Sequence, residues 1–154
     1  MNGNPQIIDQ LNQRLIEELT GINQYENNRS CFRLWGYKSL TKHIDERIDD
    51  EEGHYRKLLN RIRVLGGIPV TGKLNEVKTG QDVIAMMNND LASENVAIIK
   101  YNEMIKLCYS LSDNGTRKIL EDILSDEEDH ARYIARQLIQ IKQIGMQNYL
   151  SAKI

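Results

Sequence analysis

Two short stretches, Asp50-Glu51-Glu52-Gly53-His54 and Asp126-Glu127-Glu128-Asp129-His130, each contain Glu-x-x-His. On a helix, residues three apart share a face, so Glu51 with His54, and Glu127 with His130, can each grip one object from one side. Two more glutamates stand in matching places. Glu18 lies 33 residues before Glu51 and Glu94 lies 33 before Glu127, so the constellation repeats with an offset of 76. Tyr25 with Tyr101, and Asp50 with Asp126, obey the same offset, while the rest of the sequence shows little similarity at it.

The phase of these glutamates makes them informative. Leu11, Leu15, Glu18, Ile22 and Tyr25 are spaced 4, 3, 4, 3. Ile44, Ile48, Glu51, Tyr55, Leu58, Ile62 and Leu65 keep that rhythm, as do Met87, Leu91, Glu94, Ile98, Tyr101, Ile105 and Cys108. A fourth segment repeats it with Leu120, Leu124, Glu127, Ala131, Ile134, Leu138 and Ile141. Each segment reads as a helix with one glutamate on its buried seam.

Burying an ionised carboxylate without a partner costs several kcal/mol even after relaxation. Four facing one another would exceed the ~5–15 kcal/mol net stability of a typical domain, so they must be protonated, paired or metal-bound. No lysine or arginine sits on the stripes, although Arg14, Arg47 and Lys100 stand at their edges. A Glu from each of two helices plus a Glu-x-x-His from each of the other two is the ligand pattern of di-iron and di-manganese carboxylate bundles. Oxygen and nitrogen donors of this kind suit Fe²⁺ or Mn²⁺ and argue against iron–sulfur clusters or structural zinc. Two ferrous ions balance four glutamates, and two ferric ions with one oxide do the same, which favours dioxygen chemistry. The expected assignment has Glu18 and His54 with Glu51 on one iron, Glu94 and His130 with Glu127 on the other, and Glu51 and Glu127 bridging.

Metal-bound histidine usually donates its second N–H to a carboxylate or carbonyl. Asp50 and Asp126 are the candidates, each reaching across to the histidine of the other helix; the alternative is two solvent-facing aspartates. Tyr25 and Tyr101 lie two turns from Glu18 and Glu94, where they hydrogen-bond a ligand carboxylate, donate an electron, or merely pack. His43 falls outside the pattern and reads as a partly exposed helix residue, Cys108 as packing, and Trp35 as a buried anchor at a turn.

These stripes call for four long helices at about 5–34, 38–65, 82–110 and 114–142, with a short extra helix at 146–152. Asn4-Pro5 is a favourable start for the first, since proline suits the opening turn. Trp35-Gly36-Tyr37 and Ser112-Asp113-Asn114-Gly115 are short connections, so each joins an antiparallel pair. Residues 66 to 80 form the one long non-helical stretch, enough to cross the length of a bundle. The expectation is one all-α domain over 1–154: a ferritin-like four-helix bundle with one long crossover and a short C-terminal helix. Gly53, inside the second helix, marks either a close approach by a neighbour or a tolerated surface glycine.

At 154 residues and a formal net charge of −2, nothing favours nucleic acid, and no basic stripe with interleaved aromatics occurs. No uncharged apolar run approaches ~20 residues, so no membrane span is expected. The N-terminus lacks the basic-then-apolar pattern of a signal peptide. Two widely spaced cysteines, Cys31 and Cys108, fit a reducing compartment, and a cytoplasmic location is expected.

Over nearly its whole length the sequence resembles the bacterioferritins. The likeness lies in the opening Gly-Asn-Pro-Gln-Ile-Ile-Asp-Gln-Leu-Asn, in Glu-Glu-Leu-Thr-Gly-Ile-Asn-Gln-Tyr around Glu18, and in the Trp-Gly turn at 35–36. It continues in Leu-Gly-Gly-Ile-Pro at 65–69, Asp-Glu-Glu-Asp-His at 126–130 and Ile-Gly-Met-Gln-Asn-Tyr-Leu at 144–150. The resemblance implies iron storage and detoxification in a shell of 24 subunits. It implies a ferroxidase centre in each bundle that oxidises Fe²⁺ with dioxygen or peroxide, and an electron donor for iron release. Carried over position by position, the centre is Glu18, Glu51, His54, Glu94, Glu127 and His130. It also implies an inner-surface iron site at Glu46 and Asp50.

One feature departs from the family pattern. Its members bind haem b between two-fold related subunits through a methionine from each, and that position is Glu52 here. Glu26, Asp45 and Asp49 stand nearby where the haem pocket is usually apolar or aromatic. Such a pocket suits an apolar macrocycle poorly, so little or no haem is expected in a homo-oligomer unless a haem-bearing partner subunit joins it. Facing its own copy, the acidic cluster predicts a wet and weakened two-fold interface. The competing readings are a non-storage di-metal (Fe/Mn) oxidase or peroxidase on the same bundle, and a helical interaction module with no catalytic metal.

Overall fold

A computed structural model of the chain describes residues 3–154; Met1 and Asn2, the first two of the span read as one domain, lie outside the described residues. Its helices are α1 (Pro5–Trp35), α2 (Lys38–Val64), α3 (Val83–Ser110), α4 (Asn114–Ile144) and α5 (Met146–Ser151). No strand occurs among the described residues. The fold is all-α, as the stripes require, and helix ends fall within two residues of their sequence-predicted positions.

Local chemistry sets those ends. At the start of α1 the Asn4 side chain accepts a hydrogen bond from Gln6 N at 2.9 Å, and Pro5 occupies the first turn, where its missing N–H costs nothing. The helix stops at Gly36, whose φ of 79° lies in the left-handed region open to glycine. That turn sends α2 back antiparallel to α1. Asp82 and Asp113 cap α3 and α4 by accepting from Ala85 N at 2.8 Å and Thr116 N at 3.0 Å. Arg61 fastens the α4 cap to α2, donating to Asp113 Oδ1 and Thr116 Oγ1, both at 2.8 Å.

The crossover runs along α1. Asn12 binds Ile68 O and Val70 N, Thr20 accepts from Asn75 N, and Gln24 accepts from Lys78 N. The connection therefore climbs in the direction of α1 and delivers α3 antiparallel to it. Side-chain pairs agree: Tyr25 meets Glu94, while Glu18 meets Tyr101.

Two apolar clusters fill the bundle, one at each side of a polar layer. Leu11, Leu15, Leu58, Ile62, Tyr101 and Leu120 belong to one; Tyr25, Phe32, Ile44, Met87, Ile134 and Tyr149 belong to the other. Cys108 is fully buried, as expected of a packing residue. His43 is half-buried and stacks on Tyr133. Gly53 faces open space, with nothing within 4 Å of an added Cβ, and is a surface glycine. Trp35 is not the buried anchor expected. It is 38% exposed, because at the last residue of α1 it touches Phe32 and Tyr37 edges but has no opposing helix to cover it. No helix is long and apolar enough to cross a membrane among the described residues.

Candidate metal centre

The polar layer gathers Glu18 from α1, Glu51 and His54 from α2, Glu94 from α3, and Glu127 and His130 from α4, none more than 5% exposed. They form two overlapping groups, Glu18–Glu51–His54–Glu127 and Glu51–Glu94–Glu127–His130, each with one ligand atom per residue within 4.8 Å of the others. Glu51 and Glu127 belong to both. Glu127 places Oε1 at 3.2 Å from His54 Nδ1 and Oε2 at 3.2 Å from His130 Nδ1. Glu51 does likewise, at 3.6 Å and 3.3 Å. Glu18 Oε2 lies 3.5 Å from His54 Nδ1, and Glu94 Oε1 lies 3.6 Å from His130 Nδ1.

The second layer crosses between helices. Asp126 Oδ2 of α4 accepts from His54 Nε2 at 3.0 Å, and Asp50 Oδ2 of α2 lies 3.4 Å from His130 Nε2. A proton held on Nε2 leaves the Nδ1 lone pair facing the layer's centre. Tyr25 donates to Glu94, and Tyr101 donates to Glu18. Each tyrosine thus holds the glutamate of the opposite helix, not the one two turns away on its own, because α1 and α3 are antiparallel. Glu46 stands beside His43 at 3.8 Å, and Asp50 is 3.7 Å from Arg47.

Both Nδ1 atoms and Glu18 Oε2 are buried with no hydrogen-bond partner. Such orphans are rare in a folded protein, and here they converge on one another. A divalent cation in each group satisfies them, and carboxylate with imidazole is a fitting donor set for iron or manganese.

Electrostatics describes the cation-free layer. Burial, then the charges of Glu127 and its neighbours, holds Glu51 and Glu94 well above the usual carboxylate range. Burial pushes Glu18 the same way, but the close approach of His54 and Glu51 overcomes it and leaves Glu18 lowered. Burial opposes a charge on His54, yet the nearby carboxyls of Glu127, Glu18 and Glu51 raise its pKa. Protons therefore neutralise the layer until cations displace them.

A cavity of about 260 Å³ reaches this layer from the side covered by the crossover. Glu17, Glu76, Lys78 and Ser93 line its outer part, and Glu18, Glu51, Glu94 and Glu127 its floor. A small ion and a diatomic oxidant have room to pass.

Sequence reasoning missed one buried polar set. Asp90 is 6% exposed and accepts from Gln24 Nε2 at 2.7 Å and Asn28 Nδ2 at 2.9 Å. The signal was available: Asp90 lies one turn before Glu94 and beside Leu91, on the inner face of its helix. It also missed the partners of the acidic cluster. Glu26 pairs with Arg29 at 2.5 Å, Asp45 with Arg29 at 3.1 Å and Arg33 at 3.6 Å, and Glu52 with Arg56 at 3.1 Å. Three of the four acids thus have an arginine partner within the same chain.

Comparison with known proteins agrees with this geometry. The family model for the ferritin-like domain matches residues 8–144. A bacterioferritin of Brucella melitensis is 33% identical over 97% of this chain and 92% of its own length. A bacterial ferritin of Synechocystis is 34% identical over 100% of this chain and 99% of its own. Another, from Neisseria meningitidis serogroup B, is 32% identical over the full length of both. With a bundle of the expected connectivity and relatives spanning its full length, this chain belongs to the ferritin-like family, among the bacterioferritins.

Proposed function

We propose that the chain stores and detoxifies iron as a ferroxidase: it oxidises Fe²⁺ to Fe³⁺ with dioxygen or peroxide at the four-glutamate, two-histidine centre and keeps the ferric product in a closed shell of 24 subunits. Each subunit is one ferritin-like di-iron domain, acting in the cytoplasm and giving iron up to an electron donor. The observation that carries this reading is the pair of ligand groups joined by Glu51 and Glu127. Two ions held by shared carboxylates can each give one electron to a single oxidant.

The residues divide the work. Fe²⁺ enters through the cavity beneath the crossover and displaces the protons on Glu51 and Glu94. His54 and His130 are kept in the ligating tautomer by Asp126 and Asp50. Tyr101 and Tyr25 fix the rotamers of Glu18 and Glu94, so the outer carboxylates meet the ions already oriented. Glu52 in the haem-methionine position, ion-paired to Arg56, supports a homo-oligomer without haem b.

The test is Glu127→Ala, read by stopped-flow oxidation of Fe²⁺, together with native mass by light scattering. Loss of fast oxidation, with a mass on the order of 430 kDa for 24 chains of 17.8 kDa, supports storage. Unchanged kinetics refutes the centre. A dimer of roughly 36 kDa that still oxidises iron moves the function to a non-storage oxidase or peroxidase.

A further inference from the structure

The crossover passes the mouth of the cavity that reaches the polar layer, and its residues Asn75, Glu76 and Lys78 form part of the wall. Little holds it there. Among the described residues, 68–80 make no backbone–backbone hydrogen bond. Past Pro69 only Val77 and Gly80 are even half-buried, so apolar packing is slight. The two ends, in contrast, are seated tightly. A Cβ on Gly67 would meet side-chain atoms of Ile8 and Ile62 at 2.6 and 2.9 Å, and one on Gly80 would meet the Met86 backbone nitrogen at 2.5 Å. Between those seats three side chains of α1 tie the strap down: Asn12 at Ile68 and Val70, Thr20 at Asn75, and Gln24 at Lys78. A strap with fixed ends, few buried contacts and a handful of hydrogen bonds opens at low cost.

The tie at Gln24 differs from the other two in being buried and in reaching α3. Its Oε1 accepts from Lys78 N at 3.2 Å, while its Nε2 donates to Asp90 Oδ1 at 2.7 Å. Asn28 Nδ2 donates to the same carboxyl, at 3.1 Å to Oδ1 and 2.9 Å to Oδ2. Asp90 thus decides which way the Gln24 amide faces. With Nε2 drawn to Asp90, Oε1 is left to accept from the crossover. Turned over, the amide would set its NH₂ against the Lys78 N–H, donor against donor. One buried carboxyl on α3 therefore fixes, through one buried amide on α1, a strap that it does not itself touch.

Resting on the reading of the polar layer as a metal centre, we infer that residues 74–78 are a gate on the cavity through which cations reach that layer, with Gln24 as its latch and Asp90 as the residue that positions the latch. Gln24 and Asp90 hold no cation; they act through the backbone of Lys78. The gate has a kinetic signature. Opening the strap leaves Glu18, Glu51, His54, Glu94, Glu127 and His130 where they are, so it changes how fast a cation comes and goes and not how tightly it is held.

The experiment uses the full chain, Co²⁺ as the probe, and Gln24→Met, which keeps the length of the side chain and removes both of its hydrogen bonds. Stopped-flow mixing gives the Co²⁺ association rate, and a chelator chase gives the dissociation rate. Both should rise about fivefold, the change that one net hydrogen bond sets, with Kd unchanged. In metal-free protein, hydrogen exchange of the segment 74–80 should speed up by a similar factor while the helices keep their protection. Asp90→Asn, which leaves one oxygen for Gln24 and Asn28 to share, should move the same rates in the same direction. In the Gln24→Met background it should add nothing, because the latch it positions is gone. Wild type that binds no Co²⁺ overturns the metal-centre reading. Wild type that binds it, with Gln24→Met unchanged in rates and exchange, overturns the gate alone. So does a weakened Kd at an unchanged association rate, which would assign Gln24 to the support of the ligands. An Asp90→Asn effect that persists in full without Gln24 overturns the positioning role of Asp90.

Discussion

The two halves of the metal centre are related by an offset of 76 residues, and the same offset relates their surroundings, where the likeness ends. Tyr101 packs in one cluster with Leu11, Leu58, Leu120 and Ile123, all four fully buried. At the equivalent positions around Tyr25, three remain apolar as Met87, Ile134 and Ile44, but Ile123 becomes Arg47. Ile119 becomes His43, and buried Arg14 becomes buried Asp90. Arg14 pairs with Glu17 on its own helix at 2.5 Å, whereas Asp90 lines a small cavity. On the proposed di-iron reading, two ions that share carboxylates need matched ligands, in keeping with the symmetry of the polar layer. Nothing demands symmetry beyond it. One side closes as an apolar core, and the other sets Asp90, His43 and Arg47 around that cavity, which Phe32, Leu40, Ile44, Met87 and Ile134 also line.

The largest expected effect tests the shared ligands that join the halves. Glu127→Ala removes a donor from both groups, and fast Fe²⁺ oxidation should fall by a factor of about 100 or more. Glu18→Ala and Glu94→Ala each strip one group only. Optical Co²⁺ titration should then show one site lost and the other kept. Loss of both sites on removing Glu18 would mean that the halves are not separable.

Packing provides the next contrast. Leu58→Ala, in the cluster around Tyr101, should cost about 2–5 kcal/mol in denaturant unfolding, since a fully buried leucine leaves a cavity behind. Arg47→Met, on the Tyr25 side, should change stability by no more than about 1 kcal/mol, because its buried nitrogen makes no hydrogen bond and only a 3.7 Å contact with Asp50. Comparable losses would show that both sides are packed alike.

The tyrosines sharpen the point. Tyr101→Phe leaves the buried Glu18 without its donor. The expected cost is about 1.5–3 kcal/mol in the cation-free protein. Tyr25→Phe removes the matching bond to Glu94, a carboxyl that burial and its neighbours hold above the usual range and that loses less with its donor, so stability should fall less. Thermal melts of the two cation-free variants should rank Tyr101→Phe as the less stable.

What the sequence disclosed follows from what its periodicity can encode. A glutamate at a core position of each helix is a contradiction that protons or a shared cation resolve, so the six clustered side chains and the helices carrying them were legible. The length of 66–80 fixed the crossover. Partners across the bundle were harder to read. Asp50 and Asp126 could be assigned to the opposite histidines because each precedes a ligand, but Tyr25 and Tyr101 find their glutamates only once α1 and α3 are known to be antiparallel. Asp90 escaped because its burial is made tolerable by Gln24 and Asn28, more than 60 residues away. The partners of the acidic face were overlooked for the opposite reason: Arg29 and Arg56 lie only three or four residues from Glu26 and Glu52, within reach along the same helix.

The smallest effect concerns Asp90, buried on the Tyr25 side. Its carboxyl is raised from 3.8 to about 7 by burial, so between those values the folded protein keeps a proton that the unfolded chain has released. Stability therefore falls as pH rises across that interval and levels off above it. Asparagine cannot ionise, so Asp90→Asn lacks this contribution. The variant should be more stable than wild type above pH 7, by on the order of 1–3 kcal/mol, and the advantage should vanish toward pH 4. If wild type and variant instead keep a constant difference across the range, Asp90 is ionised in the folded protein as in the unfolded chain, and the charge that offsets its burial would be Arg47, which lines the same cavity.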